Sequence, residues 1–600
     1  MQLSDFENAT DLVSLFLERA DERGDMTFLA AKKAGKWEKT SWTEAARQVC
    51  QLAEALRAMG LQDGDRVMLV SENRPEWAIA DLAIMAAGCI TVPAYVTNTE
   101  RDHLHILENS GARAAIVSTQ KLSKPLHPAI LQSGIVEHVI GMEALDCSQS
   151  SGFDCHVWSD LVAGDAGESR KAVEARAETI QRTDPACIIY TSGTSGAPRG
   201  VLLHHGAILC NVDGAAHILA NDFGWDDERF LSFLPLSHAL EHTAGLYLPI
   251  GMGAEIWFAE GLDKLGSNIE EARPTIMVVV PRLFELLRGR MVKQVEKQGK
   301  LANFLLGQAL GMAERKGAGK SGLLDWPVAK LLDLTLRPKV REKFGGRMKA
   351  LVSGGAPLNP EVGSFFESMG LVMLQGYGQT ESAPVVSCNR PAVGIRMETV
   401  GAPMKDVEVK IAEDGEILVR GELVMLGYWQ NQAETDRTIK DGWLHTGDIG
   451  LLDDKGRIQI TDRKKDIIVN DKGDNIAPQK IEGMLTLQPE IAQAMVSGDK
   501  RPYVVGLIVP DADWALEWSR QNGEEFNLKA LQDLPAFRSA VRAAVDRTNQ
   551  DLSVIEKVRQ FCFADEPFDI DNGEMTPSMK IRRGPIRERY ASRMDGLYRG

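Results

Sequence analysis

The segment between residues 41 and 119 alternates between apolar helical stretches and short runs rich in β-branched residues. The same alternation resumes at Ala207 and continues to residue 280. Because a helix is the usual connection between two parallel strands, this pattern predicts an α/β fold with layered, largely parallel sheets. In the first stretch, the predicted helices are 42–59, 75–87 and 99–108, and the predicted strands are 66–70, 90–93 and 114–118.

A helical block interrupts this alternation later in the chain. Residues 283–343 are rich in Leu, Ala, Lys, Arg and Glu, with breaks expected at 317–322, at Pro327 and at Pro338. From Thr399 onwards, alternating apolar residues predict a small antiparallel barrel or sheet.

These segments define the expected domains. A large N-terminal domain over 1–462 contains the layered α/β sheets, a helical insertion at about 284–343 and a small β-barrel-like subdomain. The chain after Asp462 has its own strands and helices, which predicts a small, mobile α+β C-terminal domain over 463–600.

The composition is that of an ordinary globular protein, with 44% hydrophobic and 25% charged residues. A net charge of -16 argues against a general nucleic-acid-binding protein, because few cations are left to neutralise phosphates over a broad surface. The eight cysteines include no CxxC pair and no zinc-ligand spacing, which predicts reduced thiols in a cytoplasmic protein. Acidic residues occupy the N-terminal stretch where a signal peptide would be basic, and this supports the same expectation.

Residues 77–96 are apolar and about long enough to span a bilayer. Asp81 would place a costly charge inside such a span, and Gly88 and Pro93 interrupt it. We therefore expect a buried helix that ends at Gly88 and leads into a short strand.

A loop rich in glycine and hydroxyl groups, YTSGTSGAPRG at residues 190–200, follows the apolar run 187–189. Backbone N–H groups and small hydroxyls at the tip of such a loop can hold an anion. The loop is not a Walker A motif, because no Lys-Ser or Lys-Thr follows the second glycine. The alternative is a flexible surface loop. The candidate anion-binding residues are Thr191, Ser192, Gly193, Thr194, Ser195 and Gly196.

The order of residues in this loop, with a proline, a base and a glycine after the second Ser-Gly, resembles the phosphate-binding loop of adenylate-forming enzymes. That superfamily includes acyl-CoA synthetases, luciferases and the adenylation domains of peptide synthetases. Its loop usually carries Lys where this chain has Arg199, which replaces a point charge with a planar fork of donors. The resemblance implies that Thr191 or Thr194 contacts the phosphates of ATP, with Thr191 also a candidate ligand of Mg²⁺.

Two further motifs resemble the adenine and metal site of the same superfamily. LVSGGAPL at 351–358 matches a wall of the adenine pocket, and QGYGQTE at 375–381 matches the segment that follows it. The resemblance implies that Tyr377 stacks on adenine, Thr380 contacts the α-phosphate, and the carboxylate of Glu381 holds Mg²⁺ with the triphosphate. The other implied nucleotide-binding residues are Gly354, Gly355, Ala356, Pro357, Gln375, Gly376 and Gly378.

The last motifs lie in the C-terminal third of the chain. WLHTGDIG at 443–450 resembles the ribose motif, in which Asp448 would accept hydrogen bonds from both ribose hydroxyls. In DRKKD at 462–466, Arg463 resembles the second ribose contact and Lys465 the hinge between domains.

Two motifs are assigned to separate half-reactions. KGDNIAP at 472–478 resembles the loop that enters the active site for the second half-reaction, with Gly473 as the residue that needs no side chain. TPSMKIRR at 576–583 carries Lys580, which matches the lysine that stabilises the charge developing at the α-phosphate. Met579 stands where the family often has glycine, a form associated with long-chain members.

Other residues indicate which carboxylic acid is the substrate. LPLSHAL at 234–240, followed by Glu241 and His242, resembles the segment that lines the acyl site of long-chain acyl-CoA synthetases, with His238 near the carboxylate. The family commonly has Arg where this chain has His242, and a structural histidine is the alternative at both positions. The helical insertion also resembles long-chain members, because shorter-chain relatives generally lack it.

Three functional hypotheses follow from the sequence. The first is a long-chain fatty acid:CoA ligase that uses ATP and Mg²⁺, with CoA as co-substrate, and whose C-terminal domain turns about Lys465 between two conformations. The second is a fatty acyl-AMP ligase that loads a carrier-protein thiol. The third is a catalytically silent binding protein, against which the joint presence of the candidate catalytic and ribose-binding residues argues.

Partners other than substrates are indicated only weakly. No nucleic acid is expected, and the sequence leaves the oligomeric state open, with a homodimer as the candidate. The C-terminal arginines suggest contact with CoA phosphates or peripheral contact with an anionic membrane, against the alternative of a solvated helix face. These arginines are Arg582, Arg583, Arg587, Arg589, Arg593 and Arg599.

Overall fold

The structure is a computed structural model that describes residues 6, 8–146, 152–191, 198–297, 299–317, 325–576 and 580–599. Its strands are β1 (Thr27–Lys33), β2 (Lys36–Ser41), β3 (Arg66–Val70), β4 (Ile90–Ala94), β5 (Ala114–Val117), β6 (His138–Gly141), β7 (Asp154–Val157), β8 (Pro185–Thr191), β9 (Arg199–His204), β10 (Arg229–Ser232), β11 (Glu255–Phe258), β12 (Ile276–Val279), β13 (Ala350–Ser353), β14 (Met373–Gly378), β15 (Val385–Cys388), β16 (Ala402–Pro403), β17 (Glu408–Ile411), β18 (Glu416–Arg420), β19 (Gly427–Tyr428), β20 (Ile439–Lys440), β21 (Trp443–Leu452), β22 (Ile458–Arg463), β23 (Ile468–Val469), β24 (Asn475–Ile476), β25 (Ile491–Ser497), β26 (Val504–Pro510) and β27 (Val558–Phe563).

The helices connect these strands and cover the faces of the sheets. A π-helix spans His242–Tyr247, and a 3₁₀ turn spans Thr380–Ser382. The α-helices are α1 (Leu12–Arg23), α2 (Trp42–Ala58), α3 (Pro75–Ala86), α4 (Glu100–Ser110), α5 (Gln120–Ser133), α6 (Trp158–Leu161), α7 (Gly167–Ala177), α8 (His205–Phe223), α9 (Ala239–Glu241), α10 (Leu248–Met252), α11 (Leu265–Ala272), α12 (Pro281–Lys297), α13 (Lys300–Gly317), α14 (Asp325–Lys343), α15 (Pro360–Ser368), α16 (Gln432–Thr438), α17 (Pro478–Leu485), α18 (Ala512–Asn522), α19 (Leu528–Gln532), α20 (Pro535–Gln550) and α21 (Arg583–Gly596).

The first large sheet has eight strands in the order β19-β9-β8-β4-β3-β5-β6-β7. Its strands from β8 to β7 run parallel to one another. β9 pairs antiparallel with β8, and the edge strand β19 pairs antiparallel with β9. The predicted elements between residues 41 and 119 are all present, with ends that differ by no more than two residues. The predicted layered, largely parallel α/β architecture is therefore confirmed.

Helix α3 explains the apolar segment that was long enough to span a membrane. Ten of its twelve residues are buried, which is typical of a helix surrounded by protein. Oδ2 of Asp81 accepts hydrogen bonds from Tyr247 at 2.5 Å and from the ring of His242 at 2.8 Å, so this oxygen is satisfied inside the core. Within the described ranges, no helix combines the length and the hydropathy that a membrane crossing requires.

The second large sheet has nine strands in the order β16-β15-β14-β13-β12-β10-β11-β1-β2. Its central strands are parallel. β12 and β13 end side by side, because Val279 is paired with Ser353, and Ser353 is paired with Gln375 on β14, which continues to Gly378. The loops after β12 and β13 therefore leave the sheet at one edge, beside the last residues of β14. In open α/β sheets this carboxyl edge is where ligands bind.

The predicted helical block is present as α12, α13 and α14. Helix α14 begins at Asp325, so Pro327 lies in its first turn, where a missing N–H costs little. The break expected at Pro338 is wrong, since α14 continues through that residue to Lys343. Its side chains Leu332, Leu336 and Val340 are buried, and this packing holds the helix together across the proline.

Two compact units make up the chain. The larger comprises Met1–Lys410, Leu418–Thr446 and Leu452–Ile458, and the smaller comprises Ile411–Ile417, Gly447–Leu451 and Gln459–Gly600. Strands β17, β18, β21, β20 and β22 belong to a five-stranded sheet in the region where a small barrel or sheet was predicted.

The smaller unit has a core of its own. Strands β25, β26 and β27 form its three-stranded sheet, and β23 pairs with β24. Apolar side chains from this sheet, including Val504 and Phe561, pack with those of α17 and α20, such as Ile481 and Phe537. This agrees with the predicted α+β organisation of the C-terminal region.

Six cysteines are buried and free: Cys50, Cys89, Cys187, Cys210, Cys388 and Cys562. Burial raises the pKa of the Cys562 thiol to about 11, so this side chain stays protonated and packs as a small apolar group. Cys155 is disulfide-bonded, and the prediction of reduced thiols is wrong for this residue.

Gly378 tests how closely β14 and β15 must approach each other. A Cβ atom at this position would lie 1.7 Å from the carbonyl oxygen of Pro384. We predict that Gly378→Ala lowers the free energy of unfolding by about 3 kcal/mol or more, because one strand must shift to relieve the overlap.

The measurement is the melting temperature, with Gly266→Ala as the control. Gly266 lies on α11, and among the described residues no atom is within 4 Å of the position that its Cβ would take. Alanine there should leave the melting temperature unchanged or slightly higher. Equal melting temperatures for the two variants would contradict the prediction.

Candidate active site

The two strands that flank the predicted anion-binding loop form an antiparallel pair. Thr191 at the end of β8 faces Arg199 at the start of β9, and the Thr191 hydroxyl donates to the Arg199 carbonyl at 3.5 Å. The pairing fixes where the loop starts and ends. The predicted loop residues Ser192, Gly193, Thr194, Ser195 and Gly196 lie outside the described residues.

Arg199 is held by two neighbours that the motif did not reveal. Its guanidinium forms an ion pair with Glu434 on α16 and lies over the ring of Tyr428, 4.7 Å from the ring centroid. The planar guanidinium can make both contacts at once, whereas a lysine ammonium could not stack in this way. Arg199, which replaces the usual lysine, therefore has its own structural partners, Glu434 and Tyr428.

Tyr428 connects this cation to the candidate metal ligand. Its hydroxyl donates to Oε1 of Glu381 at 2.8 Å. Burial, reinforced by the Glu381 carboxylate, raises the pKa of Tyr428 well above its usual range, so the hydroxyl stays a proton donor. No motif in the sequence pointed to Tyr428, because nothing in its spacing relates it to Glu381.

The short turn that contains Thr380 and Glu381 is fixed from several sides. Asn211 on α8 donates to the Ser382 carbonyl at 3.2 Å and accepts from the backbone N–H of Val385 at 2.7 Å. The backbone N–H of Met425 donates to the Glu381 carbonyl at 3.0 Å. The carboxylate of Glu381 therefore projects from a rigid backbone, which a ligand group requires.

The predicted adenine wall lies at the carboxyl edge of the nine-stranded sheet. Residues 354–357 follow the end of β13, and the backbone N–H of Gly354 donates to the carbonyl of Val279 on the next strand at 3.1 Å. Gly355 has φ = +82°, a conformation that glycine adopts without strain. Since Ser353 is paired with Gln375, this loop runs next to Gln375–Gly378 at the end of β14. The structure brings together the two motifs that were predicted to form one pocket.

Buried polar atoms without partners mark the same edge. Ser353 Oγ and Gln375 Oε1 are both buried, and neither has a hydrogen-bond partner among the residues that the structure describes. An unsatisfied buried polar atom costs about 1–3 kcal/mol, so two of them on paired residues of adjacent strands suggest a place for a polar ligand. Tyr377 lies between its flanking glycines on β14 with its side chain largely buried.

The segment predicted to line the acyl site packs against this wall. His238 caps α9, with its Nδ1 accepting from the backbone N–H of Leu240 at 3.2 Å. Leu240 lies 3.0 Å from the position that a Cβ of Gly354 would take, so the two segments are in direct contact. Leu240 also belongs to an apolar cluster with Leu234 and Val278. His242, in contrast, bonds to Asp81 inside the core, as a structural histidine would.

Glu241 is a buried carboxyl group that the sequence motifs did not assign. It is 1% exposed, and its Oε2 has no hydrogen-bond partner within the described part of the chain. Burial raises the pKa of Glu241 to about 8, although hydrogen bonds from Ser232 and the backbone of Phe233 oppose the shift. At neutral pH this side chain is therefore mostly protonated. Glu241 lies where α9 passes into the π-helix, a distortion that is often found near functional sites.

The smaller unit contains the other predicted residues. Asp448 on β21 is buried, and its Oδ1 accepts from Nε of Arg463 at 2.9 Å. These two candidate ribose contacts are therefore adjacent. Lys465 lies in an exposed turn after β22, a position that suits a hinge.

Gly473 lies in a loop between β23 and β24. It has φ = +86°, and within the described ranges no atom is closer than 4 Å to the position that its Cβ would take. Glycine is therefore required there for its conformation and not for space. Asn470 organises the loop by accepting at its side-chain oxygen from the N–H groups of Lys472, at 2.9 Å, and Asp474, at 2.8 Å.

The backbone of Lys580 is held by two hydrogen bonds to Thr576. Its carbonyl accepts from the N–H of Thr576 at 2.8 Å, and its own N–H donates to the Thr576 hydroxyl at 3.1 Å. Three residues later, Arg583 forms a buried ion pair with Glu482 at 2.5 Å. This pair anchors the segment that carries Lys580 to helix α17. Met579, the residue that departs from the family pattern, lies outside the described residues.

Several of the C-terminal arginines are engaged inside the smaller unit. Arg589 pairs with Glu566 and Glu574, and Arg593 pairs with Asp565. Together with the ion pair of Arg583, these contacts favour a structural role over the predicted contact with CoA phosphates or a membrane.

The candidate metal site is built around the Glu381 carboxylate. The described ranges hold no group of three or more His, Cys, Asp or Glu side chains that could form an all-protein metal site. Mg²⁺ is usually held by one or two carboxylates together with substrate phosphates and water, so Glu381 on its rigid turn fits this ion.

Comparison with known proteins gives matches over almost the whole chain. Residues 16–429 match the family model of AMP-binding enzymes, and residues 465–600 match the model of the AMP-binding enzyme C-terminal domain. The chain is also 33% identical to the long-chain-fatty-acid–CoA ligase FadD15 of Mycobacterium bovis over 589 residues, which cover 96% of this chain and 95% of the relative.

Two solved structures share the fold. The adenylation domain of a carboxylate reductase from Mycobacterium chelonae has a TM-score of 0.77 and 20% identity, covering 100% of this chain and 93% of that one. The O-succinylbenzoate coenzyme A synthetase of Bacillus subtilis, solved with ATP and a magnesium ion, has a TM-score of 0.66 and 20% identity, covering 95% of this chain and 98% of that one. Both confirm the predicted fold class.

The protonation of Glu241 gives a testable prediction. Because the folded state keeps the proton up to a pKa of about 8, against 4.5 for an unperturbed glutamate, the free energy of unfolding should fall between these pH values by up to about 1.4 kcal/mol per pH unit. Glu241→Gln lacks this dependence. The melting temperature of the variant relative to the wild type should therefore increase from pH 5 to pH 8.

Glu525→Gln, at an exposed position, serves as the control and should show no such trend. A difference between Glu241→Gln and the wild type that stays constant from pH 5 to pH 8 would rule out the raised pKa.

Proposed function

The chain belongs to the AMP-binding enzyme family, and on this premise we propose that it is an ATP-dependent long-chain fatty acid:CoA ligase. In the first half-reaction, the fatty acid carboxylate attacks the α-phosphate of ATP and pyrophosphate leaves. In the second, the thiol of CoA attacks the acyl carbon and AMP leaves. The observation that carries the proposal is the 33% identity, over 96% of the chain, with a protein named a long-chain-fatty-acid–CoA ligase.

The nucleotide would bind at the carboxyl edge of the nine-stranded sheet. There the glycines of 354–357 and of β14 let backbone approach a flat ring, and Tyr377 offers an aromatic face. The unpaired oxygens of Ser353 and Gln375 can form hydrogen bonds with a polar ligand. Thr380, one residue before Glu381, provides a hydroxyl for the α-phosphate, as the family resemblance implies.

Mg²⁺ would be held by Glu381, with Thr191 as a further candidate ligand, and would neutralise the charge of the triphosphate. The B. subtilis synthetase with ATP and a magnesium ion supports this choice of metal. The Tyr428 hydroxyl fixes one oxygen of Glu381, which leaves the carboxylate in a defined orientation. Arg199, stacked on Tyr428, supplies positive charge at the end of the phosphate loop.

The acyl chain would extend along the segment that begins at His238. Leu240 contacts Gly354 of the adenine wall, so a carboxylate near His238 is close to where the nucleotide would bind. The apolar cluster around Leu234 and Val278 offers a start for an apolar tunnel. Each buried methylene contributes about 0.8 kcal/mol, so the length of such a tunnel determines the preferred acid.

The smaller unit would supply groups for both half-reactions. Asp448, oriented by Arg463, is the proposed acceptor for the ribose hydroxyls. Lys580 would stabilise the charge that develops at the α-phosphate, and Gly473 would admit the CoA thiol. We propose that the C-terminal domain turns about Lys465 to present Lys580 for adenylation and Gly473 for thioester formation.

The substrate class is tested by a series of saturated acids from two to eighteen carbons. We predict AMP release that depends on ATP, Mg²⁺ and CoA and that is strong only with the long acids, because only these fill an apolar tunnel. Each acid is assayed with and without CoA.

The other hypotheses predict different results in this assay. Pyrophosphate release without formation of a CoA thioester would favour the ligase that loads a carrier-protein thiol. No turnover with any acid would favour a silent member of the family.

Substitution of Lys580 should affect the two half-reactions differently. We predict that Lys580→Ala lowers adenylation by about 10²-fold or more, the usual effect of removing one group that stabilises a transition state. Formation of the thioester from supplied acyl-AMP and CoA should survive. Adenylation is measured by exchange of labelled pyrophosphate into ATP, and thioester formation by chromatography.

Lys529→Ala is the matched control, because Lys529 is an exposed lysine of the same unit that lies outside every predicted motif. It should leave both rates unchanged. An equal loss of both half-reactions in Lys580→Ala would refute the proposed alternation of the C-terminal domain.

A further inference from the structure

The loop after β3 contains an asparagine that no sequence motif singled out. Nδ2 of Asn73 donates to the hydroxyl of Ser232 at 3.0 Å, across 159 residues of chain, and to the carbonyl of Leu234 at 2.6 Å. Its Oδ1 accepts from the backbone N–H of Leu236 at 3.0 Å. One side chain thus connects the eight-stranded sheet to the segment that follows β10 of the nine-stranded sheet.

These bonds supply partners that the acyl segment lacks locally. Residues 233–238 lie outside any helix or strand, and Pro235 has no N–H to donate. On either side of this proline, the carbonyl of Leu234 and the N–H of Leu236 are both paired with the Asn73 amide. The amide offers a donor and an acceptor, as a neighbouring backbone segment would, and so fixes the start of this turn.

The same turn determines where His238 lies. The backbone N–H of His238 donates to the carbonyl of Pro235 at 2.9 Å, so the turn that Asn73 anchors ends at this histidine. Two residues farther on, Leu240 packs against Gly354 of the adenine wall. A shift at the start of the turn would therefore move His238 relative to that wall.

The loop that presents Asn73 is itself restrained on both sides. The guanidinium of Arg74 forms an ion pair with Glu143, which follows β6, at 2.9 Å. The carboxylate of Glu72 accepts from the hydroxyl of Ser118, which follows β5. Both sequence neighbours of Asn73 are tied to other parts of the eight-stranded sheet, so the amide projects from a backbone with little freedom.

Ser232 extends the contact to the buried Glu241. Its hydroxyl accepts from Asn73 and is also hydrogen-bonded to the carboxyl group of Glu241. The Glu241 side chain in turn lies against Gly245 of the π-helix, where a Cβ would be 2.5 Å from its Cδ. The network therefore restrains both ends of the segment between β10 and the π-helix, in which His238 lies.

We propose that Asn73 is a positioning residue for the acid substrate. It holds the turn at 235–238 so that a carboxylate bound near His238 lies at the adenine wall. Asn73 does not contact the reacting atoms and acts through the backbone of Leu234 and Leu236. This role rests on the proposed ligase function. Without the three bonds the turn would be free to move, and a displacement of reacting atoms by about 1 Å can cost about 10²-fold in rate.

The test is steady-state kinetics of the full-length enzyme with the long-chain acid that the wild type prefers, with acid and ATP varied separately. Asn73→Ala removes all three bonds. Asn73→Asp keeps the shape and the acceptor but loses both donors, and it serves as well if the alanine variant does not fold. We expect each variant to lower kcat/KM for the acid by about tenfold or more, with KM for ATP changed by less than about twofold.

The second half-reaction gives a further readout. Thioester formation from supplied acyl-AMP and CoA should stay within about twofold of the wild-type rate, because the acyl group is then already attached to AMP and no carboxylate has to be placed. General damage to the fold would lower this rate together with the others.

Asn549→Ala is the matched control. Asn549 is a buried asparagine of the smaller unit that holds the backbone of Val558 in the same manner, donating to its carbonyl at 3.0 Å and accepting from its N–H at 2.8 Å. Loss of these buried bonds should lower the melting temperature. It should leave kcat/KM for the acid at the wild-type value.

The outcomes distinguish this role from the ligase function. Wild-type turnover with an unchanged kcat/KM for the acid in both Asn73 variants would refute the positioning role alone. An equal loss for acid, ATP and thioester formation would also refute it, since the bonds would then be structural only. A wild type that turns over no acid would refute the ligase proposal and the positioning role with it.

Discussion

The register of three parallel strands is the constraint on which the candidate active site depends. Val279, Ser353 and Gln375 are paired side by side, so the loops after β12 and β13 leave the sheet together, next to Gln375–Gly378 of β14. A shift by one residue would turn each strand's side chains to the opposite face and separate these loops. The glycines after and within these strands then allow close approach of the backbone. At Gly378 the two strands are so close that even a Cβ atom would overlap the carbonyl oxygen of Pro384.

A chain of side-chain contacts links the phosphate loop to the metal candidate. Glu434 pairs with Arg199, Arg199 stacks on Tyr428, and Tyr428 donates to Glu381. Each contact restrains the next, so the carboxylate is oriented before any ligand arrives. Preorganisation of this kind reduces the free energy that reorientation costs when the substrate binds.

Two buried carboxyl groups avoid, in different ways, the free-energy cost of burying an isolated charge. Asp81 is buried but paired with His242 and Tyr247, which satisfies one of its oxygens. Glu241 has no such pairing among the described residues for its Oε2, and it keeps its proton instead. Both outcomes avoid an isolated charge in a medium of low polarity. The hydrogen bonds of Asp81 also explain why the apolar segment 77–96, with its single acid, packs into a core.

The sequence by itself determined the alternation of helices and strands, the existence of the helical block and the order of the functional motifs. It could do so because apolar periodicity and glycine-rich turns are local properties of the chain. It also indicated Asp448 and Arg463 as parts of one site, and the structure places their side chains 2.9 Å apart. It did not predict that α14 continues through Pro338, because burial of one helix face outweighs the local preference to break. Only the tertiary structure decided that Tyr428 meets Glu381, because such a contact depends on residues that are far apart in the sequence.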